Sequence, residues 1–453
     1  MSSKRRTGSI RIVPIGTPAD PAGKSVERLR QERLVYDDVT GLPLHPFDDP
    51  ERSTMLDRIE KLGVIYLQIG KFFGFEELYG WELYDRILLT VADGLRGDIA
   101  AGKLAPYFVS LRYSGSDGFY ILFDLPSVLP RGRAFPSLEE VSLDLQMSAI
   151  RRLRHAFGGT MVDLMSVHVS NLTADDNPRA RPSRHLIRTL AEAVKIVSQR
   201  QTREKLDLCA QLKGVIGRRR LTAAFQPVRH LPDGKIHGYE ALIRGPYGTS
   251  LERPSVLFAV AHENEMGVEL ETLCLETIFK SLPRAVSSGR LFVNASSQLL
   301  RHPIFLDERN LKAINRSHTD VVVEISEKEM VGDYSSFAEI VRRIRGSHLQ
   351  IAIDDAGSGY SGLETILNLR PDYIKVADSL VRNLEGDPIK REIIASLAAI
   401  GNRIGAIVVA EGIEREEERN ALVDLGIPYG QGFLLGRPTV HGKGGRRRVE
   451  TSH

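Results

Sequence analysis

The sequence predicts an α/β chain in two parts, an α+β domain over residues 35–178 and a (β/α)8-type barrel over residues 220–440, joined by a helical connector at 179–219. Three observations carry that reading. From Phe225 onward, apolar segments alternate with helical ones at about 30-residue intervals, the rhythm of a barrel. The eight segments read "AAFQPV", "HGYEALIR", "LFVNAS", "VVVEIS", "QIAIDDA", "YIKVA", "AIVVAEG" and "YGQGFLL". Each carries polar residues at or near its C-terminal end: Gln226, Glu240, Asn294, Glu324, Asp354 with Asp355, Lys375, Glu411 and Gln431. In a barrel those ends share one rim, where sites are built.

The elements follow in order. Residues 1–34 are polar, basic and punctuated by Pro and Gly, so they are expected to be a solvated tail. "LGVIYLQIG" (62–70) reads as a strand, "ELYGWELYDRILLTVADGL" (77–95) as an amphipathic helix, and "YFVSLRYSGSDGFYILFDL" (107–125) as two strands around a tight turn. A second helix and the strand "SVHVSNL" (166–172) complete the first domain. Leu190, Val194, Val197, Leu206, Leu212 and Ile216 then recur at helical spacing, predicting one long helix or two. The basic residues 441–453 are expected to be a second solvated tail.

At 453 residues, 42% hydrophobic and 26% charged, the chain has ample material for cores in both parts. Its net charge of +3 resides largely in the tails and argues against a nucleic-acid partner. Cys209 and Cys274 sit in apolar helical contexts and fit reduced core thiols. With no signal peptide and no eighteen-residue apolar run, a cytoplasmic location without direct membrane insertion is expected.

Several carboxylates crowded on one rim repel one another unless cations sit among them. Glu240, Asn294, Glu324 and Asp354 offer only oxygen, which suits Mg2+ or Mn2+ rather than structural zinc. Asp355 and Glu411 remain for a second ion that shares Asp354, and paired ions are the usual device for in-line attack on a phosphodiester. Lys375 supplies positive charge to position a water or stabilise the phosphorane, and Arg244 can grip a phosphate or a guanine edge. A phosphodiesterase is the chemical class these residues favour.

Residues 220–440 resemble the EAL domain of cyclic di-GMP phosphodiesterases through "FQPV", "YEALIRG", "VNAS", "VEISE", "DDAGSGYSGL", "YIKV", "VVAEGIE" and "QGFLLGRP". The resemblance implies a modified TIM barrel that opens cyclic di-GMP to linear pGpG, using two Mg2+ or Mn2+ ions. Position by position, it assigns metal binding to Glu240, Asn294, Glu324, Asp354, Asp355 and Glu411. Lys375, Glu411 and Glu327 are its catalytic candidates, with Glu327 anchoring the dimer-coupled loop from Asp354 to Leu363. Gln226, Arg244, Gln431, Gly432 and Arg437 are its ligand-binding candidates, and a homodimer through this domain is implied. One departure stands out: the family reads Asp two residues after the lysine, and this chain has Ala377 followed by Asp378. Two outcomes are compatible with that alanine, retained hydrolysis or a receptor that binds cyclic di-GMP without cleaving it.

Residues 35–175 resemble a GGDEF diguanylate cyclase domain through "DDVTGLPLH", "FEELYGWELYDRILL" and "RYSGSDGF". The acids that hold a cyclase's metals are replaced by Gln68 and Gly118, leaving Asp117, and Glu76 stands at the asparagine position that reads guanine. The resemblance therefore implies an inactive domain, either a regulatory, dimerising or partner-binding module or a structural remnant.

Overall fold

The computed structural model describes residues 36–44, 61–71, 80–115, 117–126, 136–175, 182–285, 289–307, 320–327, 334–347, 349–357, 362–442 and 445–448. The N-terminal tail, Glu76 and most of the loop from Gly357 to Leu363 lie outside these residues. The chain forms two compact units, one taking in residues up to Ile69, Asp85–Arg152 and Val169–Val197, the other Gly70–Tyr84, Leu153–His168 and Ser198 onward.

The first unit is organised by a four-stranded sheet of β1 (Lys61–Lys71), β2 (Phe108–Tyr113), β3 (Gly118–Asp124) and β4 (Met165–Asp175), in the order β2-β3-β1-β4. β3 runs antiparallel to both of its neighbours. Val64, Ile65, Tyr66 and Leu67 are consecutive and fully buried, as befits a strand covered on both faces. Leu186, Leu190, Ala193 and Val197 pack against the Leu62, Val64 and Tyr66 side of the sheet. These four belong to a single helix, Pro182–Gly217, which also carries Leu212 and Val215 into the core of the second unit. Leu206, expected on the apolar stripe, is 66% exposed instead. It falls between Val197, which packs in the first unit's core, and Leu208, which packs against the second's.

The second unit is a closed eight-stranded barrel of β5 (Thr222–His230), β6 (Ile236–Arg244), β7 (Arg290–Asn294), β8 (Asp320–Ser326), β9 (Gln350–Ala356), β10 (Tyr373–Val376), β11 (Ile407–Ala410) and β12 (Tyr429–Gly430). β6 through β12 are parallel. β5 is not, running antiparallel to β6 on one side and β12 on the other. Helices alternate with the parallel strands, and one continuous outer core of Leu, Ile, Val and Phe fills the layer between them.

Inside the cylinder the two-residue period of the strands stacks two layers. The lower one is apolar: Val228, Phe292, Val322, Ala352, Tyr373 and Val409, with Tyr429 packed against them. Two residues further along β7 through β12 stand Asn294, Glu324, Asp354, Lys375, Glu411 and Gln431. On reversed β5 the polar residue comes two before, at Gln226, which pairs in register with Glu240 while Val228 pairs with Gly238. Gln226 thus reaches the rim from the middle of its strand and not from its C-terminal end, because β5 points the other way.

The wall closes through only two residue pairs, Tyr429↔His230 and Gly430↔Arg229. Beyond them, β13 (Thr439–Gly442) pairs with the open N-terminal half of β5 at Phe225 and Ala224, and β14 (Gly445–Arg448) pairs with β13. The basic run at 446–448, expected in a solvated tail, is therefore strand, since short β12 leaves an edge of β5 for another strand to occupy. Among the described residues no helix is long and apolar enough to cross a membrane, and neither cysteine is in a disulfide.

Candidate active site

Lys375 occupies the centre of the polar layer and is 1% exposed. Its Nζ lies 2.6 Å from Glu411 Oε1, 2.7 Å from Glu324 Oε1, 3.0 Å from Asp354 Oδ1 and 3.8 Å from Glu240 Oε1. Burial alone would push the ammonium's pKa down. The attraction of Asp354, Glu240, Glu324 and Glu411 outweighs it and holds Lys375 well above its usual value, charged at neutral pH. Burial raises the pKa of Glu324 against the pull of Lys375, and burial followed by the neighbouring Asp354 raises that of Glu411.

Gln431 ties the far side of the ring together. Its side-chain amide donates to Glu240 Oε2 at 2.6 Å and to Glu411 Oε1 at 2.9 Å. Its backbone N–H donates to the Ala410 carbonyl at 2.8 Å, so this bridge is fixed from the main chain outward. Asn294 Nδ2 donates to Glu240 Oε1 at 3.2 Å. Glu240 is consequently the shared acceptor of two amides and a neighbour of the lysine.

Asp354 and Asp355 owe their shared position to a bulge. Ile353 pairs with Ile374 and Ala356 with Val376, so two acids of β9 face the single residue Lys375 of β10. Asp355 takes the left-handed conformation, φ 59°, that accommodates the extra residue. The alternation resets there: Ala356, rather than Asp355, rejoins the apolar outer core. A regular strand would have pushed one of the two acids into that core.

The remaining candidates stand around this ring. Glu327 is 1% exposed and its Oε2 accepts the Gly357 N–H at 3.1 Å, at the start of the loop beyond Asp355. Gln226 Nε2 donates to the Gly436 carbonyl at 3.1 Å, holding the loop that carries Gly432 and Arg437. Arg244 ends β6 with Nη1 on the Ile243 carbonyl, and Arg437 lies 4.2 Å over the Phe433 ring. Ala377 is 1% exposed, its N–H bonded to the Ala356 carbonyl at 3.2 Å. Asp378 is exposed and opens the short helix Asp378–Val381, packed so closely on Gly412 that a Cβ there would come 2.6 Å from its own.

The donor set fits a hard divalent cation. Four carboxylates around one ammonium leave negative charge uncompensated, and every candidate ligand is oxygen. Among the described residues Glu324 Oε2, shielded from water, has no hydrogen-bond partner, while Glu324 Oε1 and Asp354 Oδ1 have only the ionic contact with Lys375. Among the described residues no three acidic, imidazole or thiol groups already converge on one point, for here the carboxylates spread around the lysine.

In the first unit, Gln68 pairs with Gly118, and Asp117 sits at φ 62° with its N–H on the Tyr113 hydroxyl at 3.3 Å. Tyr66 fills the space above Gly118, and a Cβ on that glycine would come 2.6 Å from two of its ring carbons. Gly118→Asp is therefore expected to lower the Tm by several degrees, the effect of overpacking worth about 1–3 kcal/mol, without creating cyclase activity. Calorimetry and incubation with GTP and Mg2+ check both halves of that expectation.

Comparison with known proteins identifies the family of the barrel. Residues 210–438 match the model of the EAL domain. The chain is 24% identical over 453 aligned positions to the bifunctional diguanylate cyclase/cyclic di-GMP phosphodiesterase MucR of Pseudomonas aeruginosa, covering 91% of this chain and 62% of that protein. It is 24% identical to the cyclic di-GMP phosphodiesterase PdeR of Escherichia coli, covering 91% of this chain and 63% of the relative. The chain spans about a third to three-fifths of the length of the curated relatives it matches. A solved structure, PaMucR phosphodiesterase in complex with c-di-GMP, is 27% identical and covers 51% of this chain and 97% of its own, at a TM-score of 0.47.

Proposed function

We propose that this chain, which belongs to the EAL domain family through residues 210–438, hydrolyses cyclic di-GMP to linear pGpG. The observation that carries the reading is the polar ring, in which Lys375 touches Glu324, Asp354 and Glu411 while Gln431 bridges Glu411 to Glu240. Glu240, Asn294, Glu324 and Asp354, with Asp355 and Glu411, are the residues that would hold Mg2+ or Mn2+. Such ions supply an activated water and neutralise charge on the phosphodiester.

The chain's own residues divide the remaining work. The Lys375 ammonium holds positive charge beside the reacting phosphate, where it offsets the charge that develops in the transition state. Gln431 orients Glu240 and Glu411 by donating to both. Arg244, at the end of β6, is suited to a phosphate oxygen or guanine edge, and the loop from Gly432 to Arg437 to the body of the dinucleotide. Glu327 acts at one remove, by fixing the Gly357 amide beside the acid pair.

The second reading, a receptor without turnover, is favoured by Ala377, a buried methyl where the family carries a carboxylate. Incubation of the purified protein with cyclic di-GMP and Mg2+ or Mn2+, followed by product analysis and a parallel binding titration in Ca2+, separates the two. Ala377→Asp sharpens the comparison. With Mn2+ saturating, kcat is expected to rise about tenfold and Kd to change little, a gain made in the transition state. Equal kcat in the two proteins would show that the alanine costs nothing, and zero kcat in both with tight binding would establish the receptor.

For the first unit we infer a regulatory or dimerising role without synthesis of cyclic di-GMP, supported by Gln68, Gly118 and the Tyr66 ring at the place of the missing acid. Product formed by the full chain from GTP and Mg2+ would overturn that inference.

A further inference from the structure

The barrel's closing seam contains a side chain that neither the ring nor its ligand-binding candidates include. β12 meets β5 at two residue pairs and β13 resumes the pairing at Ala224 and Phe225, so among the described residues no strand pairs with Gln226, Pro227 and Val228 on that side. Two β5 side chains span the gap. Gln226 reaches the Gly436 carbonyl, and Arg229 Nε donates to the Leu435 carbonyl at 2.9 Å. Arg229 Nη1 also donates to the Gly234 carbonyl at 2.7 Å, so the guanidinium is held at both ends. The segment it grips is the one between Gln431 and Arg437. The segment is also fastened by the Leu434 N–H on the Ile413 carbonyl and by two short-range bonds to the Gly432 carbonyl.

We propose that Arg229 is a positioning residue of the active site, replacing the missing ladder bonds of the seam and thereby fixing the backbone that presents Gly432, Phe433 and Arg437 to the ligand. The inference rests on the cyclic di-GMP reading above. Charge-assisted bonds from a planar, half-buried guanidinium to main-chain carbonyls restrict the loop without contributing a group to the chemistry. Its effect should therefore appear in affinity rather than in the rate of the bound complex.

The test compares the parent with Arg229→Ala and Arg229→Lys in the full chain. Cyclic di-GMP binding is measured in Ca2+, kinetics in Mn2+, and backbone hydrogen exchange in the ligand-free proteins. In Arg229→Ala the amides of residues 432–437 are expected to exchange faster while those of β9 and β10 are unchanged. Kd and KM should rise about tenfold, the factor matching one charge-assisted hydrogen bond, with kcat nearly constant. Arg229→Lys, with one donor able to reach Leu435, should recover part of the affinity. Faster exchange with Kd and KM unchanged would make Arg229 merely structural and overturn the proposal, as would unchanged exchange. A parent that binds no cyclic di-GMP would overturn the functional reading itself, a result distinct from a bound parent and an equally bound variant.

Discussion

Replacing Glu240 by alanine is expected to lower kcat/KM for cyclic di-GMP by about 10³-fold or more, equivalent to about 4 kcal/mol of transition-state stabilisation. Glu240 accepts hydrogen bonds from Gln431 and Asn294 and faces Lys375, so one truncation unties three neighbours together. Gln431 would keep only Glu411, and Asn294 would lose the acceptor that orients it. An all-oxygen site deprived of a carboxylate also loses affinity for a hard cation, more severely for small Mg2+ than for Ca2+. Binding of cyclic di-GMP measured in Ca2+ is therefore expected to persist while turnover in Mg2+ disappears. Turnover within tenfold of the parent would remove Glu240 from the catalytic assignment.

The largest effect on stability is expected from Lys375→Met. This change removes the only cation in contact with Glu324, Asp354 and Glu411 among the described residues and leaves their carboxylates buried together. Breaking a buried ionic cluster by deleting one partner costs about 3–5 kcal/mol, which for a domain of this size corresponds to a Tm lower by roughly 10 °C. The pH dependence has a definite sign. Glu324 and Glu411 already have pKa values raised by burial, and loss of the lysine raises them further. A carboxyl whose folded pKa exceeds its unfolded pKa binds more protons in the folded state, so stability falls as pH rises through that interval. The deficit of the variant should thus be greatest at neutral and alkaline pH, shrink as pH falls towards the unfolded carboxylate range, and be partly offset by saturating Mn2+. A Tm deficit that is the same at every pH would show that packing, rather than charge, accounts for it.

The polar ring was legible because strand period and barrel geometry share a two-residue step. Phe292 and Asn294, Val322 and Glu324, Tyr373 and Lys375, or Val409 and Glu411 can be paired from the sequence alone once the strands are recognised. The direction of β5 was not legible, since alternation looks the same whichever way a strand runs; only its pairing with β6 and β12 reveals it. The bulge at Asp355 was hidden for a related reason. The adjacent acids signalled a strand exit, yet which of them is the extra residue depends on the register against β10. Leu206 failed because helical periodicity records an apolar stripe without saying where a core ends. Arg229 carries no motif; a lone arginine on a strand acquires meaning only from the two carbonyls it meets.

The narrow seam differs from the rest of the wall in the length of chain it closes. Neighbouring parallel strands close loops of about 30 residues, whereas Tyr429 meets His230 across about 200. Loop-closure entropy grows so slowly that the longer span costs only about 1.7 kcal/mol more. Against that cost the β5–β12 ladder itself sets two residue pairs, with Gln226 and Arg229 reaching across beside it. A chain that has assembled β5 through β11 but left the seam open would already possess most of the secondary structure and much of the outer core. It would still lack Gln431 between Glu240 and Glu411. Circular dichroism would count such a molecule as folded, while its catalytic ring would be an open horseshoe.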